Sequence, residues 1–208
     1  MPSRWRAKAC VVQQVTPADL DAFFTDAERE RIASFPRAKR REEWAASRLA
    51  VKWLALENGL CAEARACAVD SAYRRPSLSI GGSVQAREIS ITHSEGAGGA
   101  AMSHSRIGLD LQKVRPLAER ATKFFLNDDE VAAWRSVELE DSLIHFWCAK
   151  EAGYKIHAGK GWYRAVRISL LEPASDGLRF TYRDAASEGT IETERLEGGM
   201  VLAVAEMG

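Results

Sequence analysis

Two stretches of this 208-residue chain follow the same pattern about a hundred residues apart. Phe23-Phe24 is followed by Thr25-Asp26-Ala27-Glu28, and Phe124-Phe125 by Asn127-Asp128-Asp129-Glu130. Each reads as a capping box, in which the Thr or Asn side chain takes the amide three residues on and the Glu reaches back to the cap amide, so that two orphan donors at a helix start are satisfied. Further on, Trp44-Ala45-Ala46-Ser47-Arg48-Leu49-Ala50-Val51-Lys52 matches Trp147-Cys148-Ala149-Lys150-Glu151-Ala152-Gly153-Tyr154-Lys155 at Trp, Ala and Lys. The offset is 101 residues at the Phe pair, 102 at the Glu and 103 at the Trp. Three matches in register point to a duplicated unit, and hence to two similar halves, 1–104 and 105–208, related by a pseudo-twofold. A cleft between such halves is the natural place for a ligand.

Both Trp-led stretches are helical by period and close on glycine, at Gly59 and Gly159. Strands are expected from Ala9 to Val15, Ile89 to Thr92, Gly98 to Ser103, Arg106 to Val114, Val166 to Leu171, Leu178 to Arg183 and Met200 to Glu206. Long helices with antiparallel-looking strands make an α+β fold.

Lysine plus arginine total 29 and aspartate plus glutamate total 29, so no bulk basic field draws in nucleic acid, and polyanion binding must be local. Met1 to Leu20 has no apolar run after Arg4, Arg6 and Lys8, and no window of about 18 residues is free of charge, so neither a signal peptide nor a membrane span is expected and the chain should be cytoplasmic. Cys10, Cys61, Cys67 and Cys148 lack C-x-x-C spacing and read as small buried hydrophobes. His93, His104, His145 and His157 form no zinc pattern, so any metal should be held by oxygen.

Alternation in Arg106-Ile107-Gly108-Leu109-Asp110-Leu111-Gln112-Lys113-Val114 puts Ile107, Leu109 and Leu111 on one face and Gly108, Asp110 and Gln112 on the other. A carboxylate and an amide two residues apart can serve a hard cation, with Gly108 leaving room for a bulky group to approach; the plain alternative is a half-exposed strand with its polar side outward. In the helix Ser142 to His157, Glu151 and Lys155 share a face, which could be no more than a surface ion pair. Gly153 in mid-helix, a weak helix former beside Trp147 and Tyr154, suggests instead that something needs close access there. Gly159-Lys160-Gly161 makes a cationic turn suited to phosphate.

Gly108-Leu109-Asp110-Leu111-Gln112, then Trp147-Cys148-Ala149-Lys150-Glu151-Ala152-Gly153-Tyr154-Lys155 and Gly159-Lys160-Gly161, resemble the signature motifs of the 4′-phosphopantetheinyl transferases. The length, the two-half layout and the helix start at Thr25 to Arg29 look like the larger, Sfp-type branch, a pseudo-dimeric monomer with its active site in the cleft between halves. Tyr73-Arg74-Arg75-Pro76 resembles the family's Y-G-K-P segment, and Ile91-Thr92-His93-Ser94 its F-N-I-S-H-S strand. The resemblance runs from about Thr25 to Gly161. It implies a holo-acyl-carrier-protein synthase type of enzyme, which moves the phosphopantetheine arm of coenzyme A onto a serine of an apo acyl or peptidyl carrier protein and releases 3′,5′-ADP.

The resemblance implies a role for each of these residues. Asp110 and Glu151, with Gln112, hold Mg²⁺ or alternatively Mn²⁺; Lys155 contacts the pyrophosphate and stabilises the leaving group; Glu151, or a metal-bound water beside it, takes the serine proton. His93, with Ser94 beside it, meets a coenzyme A phosphate, Tyr73 and Arg75 line the adenine, and Arg31, Arg48 and Lys150 are phosphate contacts. The first half thus serves the 3′-phosphate and adenine, the second the metal and catalysis. The condition is that Asp110 and Glu151 converge across the seam between the lobes.

Gln112 departs from the D-x-E of many Sfp-type members, which lowers the ligand charge by one. Glu28 stands where some members have a basic contact, so Arg31, Arg48 and members of the run Arg37-Ala38-Lys39-Arg40-Arg41 must supply the 3′-phosphate pocket, unless that run is a solvated helix start. Phe124, Phe125 and Trp134 are candidate anchors for an acidic carrier protein, or else core. The competing functions are a non-catalytic relative that binds coenzyme A or a carrier protein, and a Mg²⁺-dependent phosphate-ester hydrolase.

Overall fold

The computed structural model describes residues 3–5, 8–71, 75–156, 165–174, 176–183 and 187–208. The chain divides into two compact units, Met1–Ser105 and Arg106–Gly208.

The first unit is built on an antiparallel sheet of β1 (Ser3–Trp5), β2 (Ala9–Val12), β7 (Ala97–Ser103) and β6 (Glu88–Ser94), in the order β1-β2-β7-β6. Helices α1 (Pro17–Phe23) and α2 (Asp26–Ser34) precede α3 (Ala38–Glu57), which packs on β7 and β2. The helix and sheet are in backbone contact: a Cβ added at Gly98 would lie 2.2 Å from the Ser47 amide nitrogen. Residues 45–52 are all buried, so α3 is covered around its whole circumference. A small sheet of β3 (Cys67–Asp70), β4 (Ser77–Ile80) and β5 (Ser83–Val84) completes the unit and falls where no strand was expected.

The second unit has one five-stranded antiparallel sheet, ordered β8 (Ile107–Lys113), β12 (Met200–Met207), β11 (Glu188–Leu196), β10 (Gly177–Arg183) and β9 (Arg167–Ala174). Short α4 (Thr122–Phe125) and α5 (Asp128–Arg135) lead to α6 (Ser142–Ile156), which lies across β8 and β12. Phe125, Leu126, Phe146, Ala149, Ala152, Phe180 and Val201 are among the core residues that this packing buries.

Both expected capping boxes are present, at Thr25 with Glu28 and at Asn127 with Glu130. Each glutamate has a second task. Glu28 pairs with Lys52 of α3 at 3.1 Å, and Glu130 with Lys150 of α6 at 2.9 Å, both lysines being fully buried. Burying an ammonium is costly unless it is paired and hydrogen-bonded. Lys52 accordingly also donates to the Ala64 and Cys67 carbonyls, and Lys150 to the Val166 carbonyl. Lys52 aligns with Lys155 in sequence but does the work of Lys150.

No helix among the described residues is long and apolar enough to cross a membrane. Cys10, Cys67 and Cys148 are buried and Cys61 is half-buried.

Candidate functional site

Strand β8 was expected to be half exposed, yet Ile107 through Leu111 are all buried. On the Asp110 face the cover is α6 itself. A Cβ at Gly108 would fall 2.0 Å from the Ala152 carbonyl oxygen, so the bulky group that Gly108 admits is the helix backbone, not a ligand. Gly153 corrects the expectation of ligand access in the same way: its missing Cβ makes room for Val166, 2.9 Å away, and Ile191.

This close packing brings α6 down onto Asp110. Lys155 Nζ donates to Asp110 Oδ1 and to the Leu109 carbonyl, each at 2.8 Å, while Gln112 Nε2 donates to Asp110 Oδ2 at 2.8 Å. The carboxylate is only 4% exposed and has a cation on one oxygen and an amide on the other. Glu151 lies one turn before Lys155 on α6 and is half-buried. Both acids act on the buried Cys148: burial chiefly, then the negative charge of Asp110 and its hydrogen bond, and further on Glu151, push the thiol well above its ordinary range, partly offset by Lys155. The Cys148 thiol donates to the Asp110 and Val201 carbonyls, so it is a strut between helix and sheet.

Asp110 and Glu151 therefore belong to one unit, not to two sides of a seam, because β8 and α6 pack directly on each other. Two carboxylates one helix packing apart are a hard-oxygen donor set of the kind Mg²⁺ uses when it fills its remaining positions with phosphate oxygens and water. Among the described residues no group of three or more His, Cys, Asp or Glu could hold a metal, so an ion here fits only if shared with a phosphate ligand. Gln112, expected as a third ligand, turns its amide nitrogen and not its oxygen toward Asp110.

Lys150, expected as a phosphate contact, is also corrected. Its three donors go to both Glu130 carboxylate oxygens and the Val166 carbonyl, with no solvent exposure, leaving none for a ligand. Glu130 accepts the Ile168 amide as well, so the pair ties α5, α6 and β9 together.

In the first unit, Arg48 is 6% exposed, lies over the Trp44 ring at 4.6 Å, and donates to the hydroxyls of Ser47 and Ser71. Its Nε is buried without a hydrogen-bond partner. Burial, with the positive charge of Arg40 adding to it and Glu28 opposing, lowers the guanidinium to about 10. Arg40 in turn donates to His93 Nε2 at 2.9 Å, and His93 Nδ1 lies 3.3 Å from Glu43. Because a guanidinium can only donate, Nε2 is the acceptor in the contact with Arg40, which turns Nδ1 as a donor toward Glu43. Thus Arg40 and Arg48 are electrostatically coupled and Arg40 holds His93.

Arg31 is exposed and sits 4.7 Å over the Phe35 ring. Arg75 pairs loosely with Glu88 at 3.5 Å, and Ser94, half-buried, ends β6. Tyr73, Arg74, His157 and Gly159-Lys160-Gly161 lie outside the described residues.

A cavity of about 320 Å³ in the second unit is lined by Gln112, Arg115, Leu117, Phe124, Phe125, Ile144 and Trp147, with Ala121. Of the three candidate anchors, Phe125 is core, Trp134 is half-buried and donates to Ser142, and Phe124 is 68% exposed. Sequence reasoning missed the roles of Trp44 and Glu43, each about one helical turn from a recognised position on α3, Arg48 and Arg40, and of Glu130, whose signal was the capping box itself.

Residues 106–205 match the family model of the 4′-phosphopantetheinyl transferase superfamily. Asp110, Gln112, Lys150, Glu151 and Lys155 fall inside the matched segment, whereas Arg31, Arg48, Arg75 and His93 precede it. A search of the curated proteins returned no match. The second unit, a mixed α/β domain carrying Asp110, Glu151 and Lys155, is thus similar to a phosphopantetheinyl transferase over nearly its whole length.

Proposed function

We propose that this chain transfers the 4′-phosphopantetheine arm of coenzyme A to a serine hydroxyl of an apo acyl or peptidyl carrier protein, releasing 3′,5′-ADP. The observation that carries the reading is the buried Asp110 carboxylate held by Lys155 of the helix that also carries Glu151, inside the segment that matches the family.

Asp110 and Glu151 are assigned as the protein ligands of a Mg²⁺ ion shared with the pyrophosphate. When bound, such an ion neutralises charge on the phosphate oxygens and leaves phosphorus more open to attack. A serine at its free pKa is a weak nucleophile, so Glu151 accepts its proton as the serine oxygen bonds to phosphorus and the bond to 3′,5′-ADP breaks. Lys155, already directed at this site, offsets the negative charge gathering on the departing phosphate. Arg48 and Arg40 take the 3′-phosphate, with His93 holding Arg40 in place: the partnerless Nε of Arg48 and two adjacent guanidinium groups make a site that gains from a bound anion. Arg31 and Ser94 are assigned to the same phosphate, and Arg75, with Tyr73 by resemblance alone, to the adenine. The apolar cavity with exposed Phe124 at its rim and Arg115 in its wall suits a carrier protein presenting apolar and acidic side chains. A monomer is proposed.

The test is intact-mass measurement of an apo carrier protein incubated with the chain, coenzyme A and Mg²⁺. Gain of one phosphopantetheine on a single serine supports transfer. Free phosphopantetheine with an unmodified carrier means hydrolysis, and tight binding with neither product means the non-catalytic relative that Gln112 brings to mind; either overturns the proposal.

A further inference from the structure

Gln112 stands between two features of the second unit. Its Nε2 donates to Asp110 Oδ2 at 2.8 Å, and the residue also forms part of the wall of the apolar cavity beside Trp147 and Phe125. The orientation of the amide follows from chemistry: an ionised carboxylate only accepts, so it is the NH₂ end that must face Asp110. A glutamate at this position could not make that contact. It would set a second negative charge against the first, and only a cation between them would relieve the repulsion.

Resting on the function proposed above, we infer that Gln112 is a positioning residue for Asp110 and not a metal ligand. Its amide holds one carboxylate oxygen and Lys155 holds the other, so both oxygens are restrained by donors, one of them on the cavity wall and one on the helix. Asp110 is buried on β8, and this hydrogen bond helps restrain rotation about the bond to its carboxylate. A residue in this role is needed for turnover more than for holding the ion. Because Gln112 is half-buried and shared with the cavity wall, a docked carrier packs against the same side chain that orients Asp110.

The experiment compares Gln112→Met and Gln112→Glu with the unaltered chain. Mg²⁺ is titrated calorimetrically into the protein with coenzyme A, and turnover on an apo carrier protein is followed separately at increasing Mg²⁺. With Gln112→Met, the expected result is Mg²⁺ affinity within about twofold of the parent and kcat lower by about tenfold, the loss of one hydrogen bond to a charged group, with no recovery at excess Mg²⁺. With Gln112→Glu, Mg²⁺ binding tightens, because the position becomes a ligand. If Gln112→Met instead weakens Mg²⁺ by tenfold or more and excess ion restores full turnover, Gln112 is a ligand and the inference is wrong. Unchanged kcat and affinity in Gln112→Met overturn it too. A parent chain that modifies no carrier protein removes the underlying function, which the calorimetric arm separates from a failure of Gln112 alone.

Discussion

Lys155 Nζ rests 2.8 Å from Asp110 Oδ1, an ion pair that joins the last turn of α6 to the middle of β8. The lysine is 29% exposed and the aspartate 4%, so the pair faces solvent from the lysine side only. An ammonium in that position can be shared with a bound phosphate while still screening the acid. Lys155→Ala should deprive the buried Asp110 of its cationic partner, cost about 1–3 kcal/mol in urea unfolding, and lower kcat on the order of 10²-fold. Turnover unchanged in a folded Lys155→Ala variant would show that the lysine serves structure alone.

Lys150, five residues earlier, makes the opposite case. Lys150→Met strands the buried Glu130 carboxylate, and a loss of about 3–5 kcal/mol is expected. The KM for coenzyme A should not change, because no donor of Lys150 reaches a ligand. Chemical denaturation and steady-state kinetics on one preparation check both halves of the statement.

Arg48→Ala should weaken binding of coenzyme A about 10–100-fold, the range of one or two charge-assisted hydrogen bonds. The same change should hardly affect 3′-dephospho-coenzyme A. Equal losses for the two ligands by calorimetry would move the 3′-phosphate away from Arg48.

Gly108→Ala places a methyl group against the Ala152 carbonyl, backbone against strand, with no side chain able to yield. The helix must lift from β8, and Lys155 and Glu151 move with it. We expect a lowered melting temperature together with loss of turnover, whereas Gly153→Ala, which meets mainly the Val166 and Ile191 side chains, should be the milder change.

His145 provides the pH dependence. It is fully buried on α6, and its Nδ1 lies 2.9 Å from Thr193 Oγ1. That hydroxyl donates to the Leu178 carbonyl, so the ring donates from Nδ1, and Nε2 has no hydrogen-bond partner. Burial, with Arg195 adding and Asp141 opposing, lowers the imidazole to about 4 from 6.5. In this window the unfolded chain binds the proton and the folded chain does not, so stability is complete above about 6.5 and falls as the pH drops toward 4. The loss from this residue is on the order of 3 kcal/mol at most. In His145→Gln, urea unfolding between these limits should show a shallower pH slope; an unchanged slope would place the acid sensitivity elsewhere.

Much of this arrangement can be read from residue patterns, and the failures have physical causes. Capping boxes are local, so Thr25 with Glu28 and Asn127 with Glu130 were recognisable without tertiary information. The expected strands are present as elements, but β11 was missed: its inward side includes Thr193 beside Ile191, which blurs the apolar alternation. The Asp110 strand was placed correctly while its burial was not, since alternation cannot reveal that a helix will settle on its polar side through Gly108. The resemblance makes Lys150 a phosphate contact, whereas the structure spends it on Glu130. The lysine lies one turn after Phe146 and close to one turn before Gly153, on the buried stripe of α6, and that period was visible. Convergence of Arg40, Arg48 and His93 needs β6 brought to α3, a contact across about 50 residues that spacing alone does not encode.

The most direct measurement is the mass of an apo carrier protein after incubation with coenzyme A and Mg²⁺ and either the parent chain or a folded Asp110→Ala variant. The account predicts a phosphopantetheine adduct on one serine with the parent and an unmodified carrier with Asp110→Ala. An adduct formed equally by both would contradict it.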